Sequence, residues 1–210
     1  MKRNRGFRRC ARGDGSSVDR AFDRLIPHHL RHLSSAHWTP AQVVIRAATL
    51  LCPTRDTRVL DIGAGVGKVC AIGALATSGV WDGVEQHASL VETATRLART
   101  LGVADRTRFL QGDAFSIDWN AYDALYFYNP FELALFGDHH AGADRTHQIA
   151  YVQHRLAGLP TCTRVVTFHG FGGVMPASFD LLYHQQMPNS GLDLALWIQR
   201  TKRRAVRVAS

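Results

Sequence analysis

The sequence predicts an α/β fold, a three-layer sandwich with helices on both faces of a mostly parallel seven-stranded sheet. Five short β-rich runs alternate with helical patterns, and this order of elements is typical of a parallel sheet. A helical segment precedes the first run. The last two β-rich runs, 179–186 and 192–199, are separated by the turn sequence Pro-Asn-Ser-Gly at 188–191 and predict an antiparallel hairpin that ends the sheet.

The elements follow from local patterns in chain order. Apolar residues spaced over 18–33 and interrupted by Pro27 predict one or two short helices, and Thr39-Pro40 predicts the start of a helix that runs toward Pro53, with Thr39 as its N-cap. Strands are predicted at 59–62, 80–85, 107–110, 123–128 and 164–168. Helices are predicted between them at 69–79, 87–101 and 144–156.

Composition indicates one domain. The chain has 210 residues, of which 46% are hydrophobic, and no apolar stretch approaches the roughly 18 residues of a membrane span. Its formal net charge of +8 is carried by its ends, since residues 1–12 hold six Lys and Arg, residues 200–210 hold five, and the segment between them holds 14 basic and 17 acidic residues. A nucleic-acid partner is therefore open but not favoured, and no membrane partner is expected.

The charge distribution also suggests a division of the chain. Residues 1–17 are basic and rich in Gly and Ser, which predicts a disordered tail, and 200–210 form a second basic tail. Between them, 18–199 is predicted to be a single domain with an N-terminal helical cap at 18–53 and a core at 54–199.

Cysteine usage bears on the compartment. Cys10, Cys52, Cys70 and Cys162 show no C-x-x-C spacing, which argues against a zinc site and a disulfide framework. The N-terminus has no apolar h-region, so a secretory signal is not expected, whereas a transit peptide within residues 1–17 stays open. We therefore predict a reduced, cytoplasmic protein.

The most informative stretch runs from Arg58 to Lys68, with the sequence R-V-L-D-I-G-A-G-V-G-K. A predicted buried strand ends in glycines at alternate positions, Gly63, Gly65 and Gly67, and a helix follows. Glycine permits positive φ and lets a ligand approach the main chain, while the helix N-terminus presents free N–H groups. This pattern predicts a turn that holds a nucleotide-like ligand.

Two other glycine turns fail on spacing. The dinucleotide pattern G-x-G-x-x-G requires glycine where Lys68 stands, and the P-loop pattern requires one more residue between Gly63 and Gly67 and a hydroxyl at Val69. The remaining pattern, D-x-G-x-G-x-G beginning at Asp61, resembles motif I of the class I (Rossmann-like) S-adenosyl-L-methionine-dependent methyltransferases. The resemblance covers roughly 38–199.

The resemblance implies a Rossmann-like methyltransferase fold, S-adenosyl-L-methionine as the methyl donor and S-adenosyl-L-homocysteine as its product. It implies cofactor contacts from the glycine turn, at Asp61, Gly63, Ala64, Gly65 and Gly67. In such methyltransferases a helix ahead of the first strand often covers the cofactor, so Trp38 and Thr39 are expected to close over its methionine part. Alternatively, Trp38 packs as a hydrophobic staple on the following helix.

Two carboxylates follow later strands. Glu85 stands 18 residues after Gly67, close to the spacing at which such folds place a carboxylate on the ribose hydroxyls, and Gln86 follows it in the same loop. After the third strand, the resemblance assigns the adenine amino group to Asp113 and the ring nitrogens to the backbone of Ala114 and Phe115, although Phe115 is alternatively a core residue.

Candidate catalytic residues stand at the ends of the fourth and fifth strands. Ligands of open parallel sheets bind beyond the carboxyl ends of strands, so Tyr128 and Asn129 are expected near the transferred methyl group, with Asn129 also touching the cofactor. Asn129-Pro130-Phe131 resembles the N-P-P-[FY] motif of methyltransferases that act on planar amino nitrogens, with one proline missing. His169 is either a general base near pH 7 or a histidine that holds a loop.

The sequence thus predicts a methyltransferase that moves a methyl group to a small-molecule or amino-nitrogen acceptor by direct in-line displacement. Alternatives are a protein lysine or nucleic-acid N-methyltransferase and a catalytically silent cofactor-binding module. No metal is predicted, because the polar residues that follow the fourth strand match no standard ligand spacing and favour a substrate-side lid. Those residues are Asp138, His139, His140, Asp144 and His147.

Overall fold

A computed structural model of the chain describes residues 15–128, 141–187 and 191–201. The described strands are β1 (Arg58–Ile62), β2 (Val80–Glu85), β3 (Thr107–Gln111), β4 (Ala124–Tyr128), β5 (Arg164–Phe168), β6 (Phe179–Gln186) and β7 (Asp193–Gln199). They form one sheet in the order β3-β2-β1-β4-β5-β7-β6. Strands β1 to β5 pair in parallel, and β7 is antiparallel to both β5 and β6. The predicted mostly parallel sheet with a terminal hairpin is confirmed.

The described helices are α1 (Gly15–Asp23), α2 (Ser34–His37), α3 (Ala41–Leu51), α4 (Lys68–Ala76), α5 (Ala88–Leu101) and α6 (Ala141–Ala157). Short 3-10 helices cover His28–Leu33, Ala114–Ser116 and Trp119–Ala121. Helix α1 begins within the segment that the sequence analysis assigned to the tail, where Gly15 packs so closely on Gln42 that a Cβ at Gly15 would lie 2.7 Å from Gln42 Cβ. In the part of the chain that the structure describes, no helix has the length and apolar character needed to cross a membrane.

Side chains of the central strands alternate between two buried cores, one on each face of the sheet. In β4, Tyr126 packs into the core formed with α1, α3, α4 and α5. Its neighbours Leu125 and Phe127 pack into the opposite core, where Val152 and Leu156 of α6 cover the sheet. Because successive residues of a strand point to opposite faces, this alternation produces the predicted three layers.

The start of α3 differs from its prediction. Thr39 is not the N-cap, because α3 begins at Ala41 after Pro40, whose ψ of 140° is not helical. The Thr39 hydroxyl instead forms a buried hydrogen bond of 2.9 Å with the Tyr126 hydroxyl. The capping acceptor comes from another helix, since Asp19 Oδ1 accepts the Ala41 amide hydrogen at 2.9 Å. A tertiary contact has replaced the local cap.

The strand order reverses beside β1. The chain proceeds from β1 outward to β2 and β3, and it then crosses back to place β4 on the other side of β1. In open parallel sheets, such a reversal leaves a crevice beyond the carboxyl ends of the two central strands. The glycine turn after β1 and the end of β4 both border this crevice.

Candidate functional site

The glycine turn is a backbone structure that depends on glycine. Gly63, Gly65 and Gly67 have φ of 79°, 53° and 73°, in the left-handed region that L side chains rarely adopt. A Cβ on Gly67 would lie 2.6 Å from the Phe109 ring. The amides of Gly63 and Ala64 both donate to the Val84 carbonyl, at 3.0 and 2.9 Å, so the turn is fixed against β2. The predicted turn is present, and α4 follows it directly.

Glu85 ties the end of β2 to this turn. Its side chain is buried, Oε2 accepts the amide hydrogen of Gly65 at 3.0 Å, and Oε1 accepts that of His87 at 2.9 Å. An ionised carboxylate has about four lone-pair sites, so each oxygen keeps capacity for a further donor. Glu85 therefore presents a fixed acceptor beneath the turn. Gln86, the next residue, is exposed.

A pocket lies between the glycine turn, the cap and β4. It is lined by His37, Trp38, Thr39, Asp61, Gly63, Ala64, Lys68, Val69, Tyr126 and Tyr128. Six of the predicted site residues thus meet in one cavity, with four that the sequence analysis did not assign to it. The cavity opens between the elements that the strand reversal separates, as ligand sites of such sheets do.

Trp38 covers the turn from above. The side chain is 7% exposed, and a Cβ on Gly65 would lie 3.4 Å from its Nε1. Among the described residues, Nε1 finds no hydrogen-bond acceptor although it is buried. A buried donor without a partner carries a desolvation cost of about 1–3 kcal/mol, which a bound acceptor would remove. Trp38 therefore lies against the turn at Gly65, and its role as a cover over a cofactor stays a prediction.

Asp61 is a buried acid on the floor of the pocket. It is 2% exposed, and burial raises its pKa from 3.8 to about 7. The Cys70 thiol, 3.6 Å from Oδ2, donates to it and opposes this rise in pKa, whereas the negative charge of Glu85 adds to the rise. Burial and Asp61 itself raise the pKa of the Cys70 thiol, so Cys70 stays protonated as a donor. Asp61 is therefore poised to lose its proton when a cation binds beside it.

Lys68 is a pocket residue that the sequence analysis used only to exclude other motifs. Its side chain is 4% exposed, and Nζ lies 2.6 Å from Asp19 Oδ1. The ion pair joins the first residue of α4 to α1. A lysine directly after the third glycine was visible in the sequence, but its acidic partner lies 49 positions earlier and no local pattern connects them. The pocket thus contains a buried cation and a buried acid.

Asp113, Ala114 and Phe115 lie after β3, outside the lining of this pocket. Asp113 Oδ1 accepts the Phe115 amide hydrogen at 2.9 Å and starts a 3-10 turn. The Phe115 ring is partly buried and packs edge-on against Tyr151, with ring centroids 4.8 Å apart. Because β3 is parallel to β2, Asp113 leaves the sheet at the same edge as Glu85.

The candidate catalytic residues stand at adjacent strand ends. Tyr128 lines the pocket and packs on Phe168, with ring centroids 5.0 Å apart. His169 follows β5, is exposed, and has a φ of 58°, which is uncommon for a residue with a Cβ. Tyr128 and Phe168 are register partners on neighbouring strands. His169 therefore lies one residue beyond the level of Tyr128. Asn129 lies outside the described residues.

Most of the possible metal ligands lie outside the described residues. Within 15–128, 141–187 and 191–201, no three His, Cys, Asp or Glu side chains are placed to hold a metal ion. Asp138, His139 and His140 lie outside these ranges, as does the side chain of Asp144. His147 is an exposed residue of α6.

No protein-family model matches the chain, and no curated protein matches it in sequence. Solved structures do match. An RNA methyltransferase from Salinibacter ruber in complex with S-adenosyl-L-homocysteine is 22% identical with a TM-score of 0.62, over 79% of this chain and 95% of that one.

Two further matches cover similar shares of this chain. An S-adenosyl-L-methionine-dependent methyltransferase from Thiobacillus denitrificans in complex with S-adenosyl-L-homocysteine is 21% identical with a TM-score of 0.50, over 77% of this chain and 59% of that one. The [4+2]-cyclase SpnF is 13% identical with a TM-score of 0.58, over 78% of this chain and 82% of that one. These likenesses show that the chain has the Rossmann-like fold of the class I S-adenosyl-L-methionine-dependent methyltransferases, as its glycine motif predicted.

Proposed function

We propose that this protein is a methyltransferase that binds S-adenosyl-L-methionine between the glycine turn and the cap. The observation that carries the proposal is the buried Glu85 carboxylate, which is fixed on the Gly65 amide of the turn whose Gly63 and Ala64 line the pocket. A carboxylate with spare acceptor capacity at the end of β2 suits the two ribose hydroxyls of a nucleoside. The methyl acceptor of the proposed enzyme is a small molecule or an amino nitrogen.

The pocket groups fit the charges of this cofactor. Its amino-acid end carries an ammonium and a carboxylate, and the pocket holds the acid Asp61 and the cation Lys68. Trp38 Nε1 supplies a buried donor that has no acceptor within the described part of the chain. Asp61 would hold the ammonium, and Lys68 with Trp38 would hold the carboxylate. Thr39, whose hydroxyl is bound to Tyr126, would close the pocket above them.

The nucleoside end would lie along the carboxyl ends of β2 and β3. The backbone of Gly63, Ala64, Gly65 and Gly67 would pass beneath it without side-chain obstruction. Gln86 follows Glu85 at this edge, and Asp113, Ala114 and Phe115 would meet the adenine at the next strand. Asp113 uses one oxygen to cap its own turn, which leaves the second to accept from the amino group.

When bound, S-adenosyl-L-methionine would supply an activated methyl group for in-line displacement by the acceptor nucleophile, with S-adenosyl-L-homocysteine as the leaving group. The protein's residues contribute alignment and proton removal. Tyr128 and Asn129 would orient the acceptor at the end of β4. His169 would take the proton of an amino nitrogen, from the neighbouring strand end.

The fold leaves other chemistry open, because proteins of one fold carry different activities, and a [4+2]-cyclase shares this one. Protein lysine and nucleic-acid N-methyltransferase activity are alternatives within the same class. A catalytically silent cofactor-binding module is the alternative of another class. Such a module would bind the cofactor as a methyltransferase does, but it would transfer no methyl group.

Calorimetry with S-adenosyl-L-homocysteine tests cofactor binding. Glu85→Gln is expected to weaken the affinity at least about tenfold, because the amide keeps only one acceptor oxygen for several donors. Glu92→Gln, an exposed residue of α5, is the matched control and should bind as the wild type does. Asp113→Asn is paired with Asp118→Asn, since both acids cap 3-10 turns through Oδ1. Equal affinity in all four variants would reject the proposed cofactor site.

Transfer is tested with methyl-labelled S-adenosyl-L-methionine and fractionated cell extract. Label is expected to enter one pool, protein, nucleic acid or small molecules, with the wild type and to be lost with Asn129→Ala. Retained cofactor binding without label transfer by the wild-type protein would favour the silent module.

A further inference from the structure

The segment that covers the pocket exposes a group of basic side chains. We define the basic cap as residues 15–37, from the start of α1 to the end of α2. The basic cap holds three Arg, no Lys and two Asp, whereas residues 38–199 hold 11 Lys and Arg against 14 acidic residues. The exposed basic side chains of the basic cap are Arg20, Arg24, His28, His29, Arg31 and His32. The positive charge of the N-terminal sequence therefore continues into the folded cap.

The two acids of the basic cap are used internally. Asp19 Oδ1 binds Lys68 Nζ at 2.6 Å and the Ala41 amide at 2.9 Å. Asp23 Oδ1 accepts the Ser34 hydroxyl hydrogen at 2.7 Å. Asp19 therefore joins the cap to the rest of the domain and is neutralised by Lys68. Asp23 instead holds Ser34 within the cap, and both side chains are half-buried.

The arginines keep their charge uncompensated. Arg31 donates to the carbonyls of Ile26 and Arg24, at 3.0 and 3.1 Å, and Arg20 donates to Ser16 Oγ at 3.3 Å. Neutral acceptors hold the guanidinium groups without cancelling their charge. Within the described ranges, none of the three arginines pairs with a carboxylate. The basic cap thus presents three full positive charges and three imidazole rings to solvent.

The basic cap adjoins the pocket at two points. His37, its last residue, lines the pocket together with Trp38. Asp19, which directly precedes Arg20, reaches into the same pocket wall through its bond to Lys68. A molecule that binds along the basic cap therefore lies beside an element that lines the pocket.

We propose that the methyl acceptor is a nucleic acid whose phosphates dock on the basic cap. The inference rests on the proposed function and names the acceptor class for the same site. Phosphate oxygens are the ligands that unpaired arginines bind best, and Arg and His side chains also stack on unpaired bases. A small-molecule acceptor would require no such extended row of cations. The docked strand delivers an amino nitrogen of a base to Tyr128.

The test compares two charge-reversal pairs in the full-length chain. Arg20→Glu with Arg24→Glu removes two cations of the basic cap, and Arg96→Glu with Arg99→Glu makes the same change on the exposed face of α5. Arg31 is left intact because it holds backbone carbonyls. Binding is measured by fluorescence anisotropy of a labelled single-stranded RNA of about 20 nucleotides, between about 50 and 200 mM KCl.

We expect the basic-cap pair to weaken RNA binding about tenfold or more and to reduce the slope of log affinity against log salt by about 1.4, which is 0.7 for each lost phosphate contact. The α5 pair should change affinity less than about twofold. Equal losses in both pairs would show that only net charge matters and would overturn the proposal. Unchanged binding by the basic-cap pair would overturn it as well.

Two further measurements distinguish a failure of this proposal from a failure of the proposed function on which it rests. Both variant pairs should bind S-adenosyl-L-homocysteine as the wild type does. If the wild type and both pairs all fail to bind it, the proposed function is wrong, whatever the RNA measurements show. Vesicles of phosphatidylserine are the second probe. A basic-cap pair that loses vesicle binding but keeps RNA binding would overturn the nucleic-acid acceptor in favour of a membrane surface.

Discussion

Lys68 Nζ lies 2.6 Å from Asp19 Oδ1, and the same oxygen accepts the Ala41 amide hydrogen at 2.9 Å. One carboxylate therefore joins α1, the start of α3 and the residue that follows the glycine turn. This oxygen adds a polar link between α1 and the pocket wall to the apolar packing of Val18 and Phe22 in the core.

Asp19→Ala should destabilise the protein more than Lys68→Met. Removing the carboxylate leaves the buried Lys68 ammonium unpaired and α3 uncapped, at a cost of about 3 kcal/mol. Lys68→Met removes the buried charge itself and leaves Asp19 partly exposed and still bound to Ala41, at a cost of about 1 kcal/mol. Urea unfolding measures both. Equal losses would show that the ion pair does not fix the cap.

Stability should fall as pH rises through the range in which Asp61 titrates. Its folded-state pKa of about 7 exceeds the reference value of 3.8, so the folded protein holds a proton that the unfolded chain releases. The resulting contribution is fully present below about pH 3.8 and is lost by about pH 7, on the order of 4 kcal/mol.

Asp61→Asn removes this titration. Relative to the wild type, the variant should gain stability steadily in urea unfolding between pH 4 and about 7 and then remain level. Asp56→Asn, at an exposed position, is the control and should parallel the wild type. A parallel curve for Asp61→Asn would contradict the raised pKa.

Binding of S-adenosyl-L-homocysteine should release a proton below about pH 7. The ligand ammonium beside Asp61 favours the ionised carboxyl, so affinity is expected to rise with pH and to level off above the pKa of about 7. Calorimetry in two buffers of different ionisation enthalpy measures the number of protons released on binding. Asp61→Asn should abolish the release. Equal proton release from this variant would place the titrating group elsewhere.

Alanine at the glycine turn should separate folding from ligand binding. Gly67→Ala places a Cβ 2.6 Å from the Phe109 ring and 2.8 Å from Ala94 Cβ at a positive φ, so a loss above about 2 kcal/mol is expected. Among the described residues, a Cβ on Gly65 meets Trp38 alone, at 3.4 Å, so Gly65→Ala should cost about 1–2 kcal/mol while still abolishing S-adenosyl-L-homocysteine binding. A Gly65→Ala protein that binds normally would show that the ligand does not lie on this turn.

Most helices and strands of the fold could be predicted from local sequence patterns. The strand bounds of β2, β5 and β6 coincide with their predictions, because alternation and β-branched residues act over a few positions. The position of β7 between β5 and β6 is a long-range pairing that the sequence analysis did not predict, because no local pattern identifies which strand β7 joins besides its hairpin partner. The site divides in the same way. Gly63, Gly65 and Glu85 follow from spacing, whereas Lys68 with Asp19 and Thr39 with Tyr126 are tertiary pairs without a local signature.

The insertion of β7 between β5 and β6 has a consequence for synthesis on the ribosome. Strand β6 is translated before β7, with which it pairs in the sheet, so it emerges with unbonded backbone groups. At that stage β5 likewise offers an open edge, which is a template for aggregation. The nascent protein is therefore most vulnerable in the interval between translation of Phe168 and Gln199, and a chaperone that shields β5 would act there.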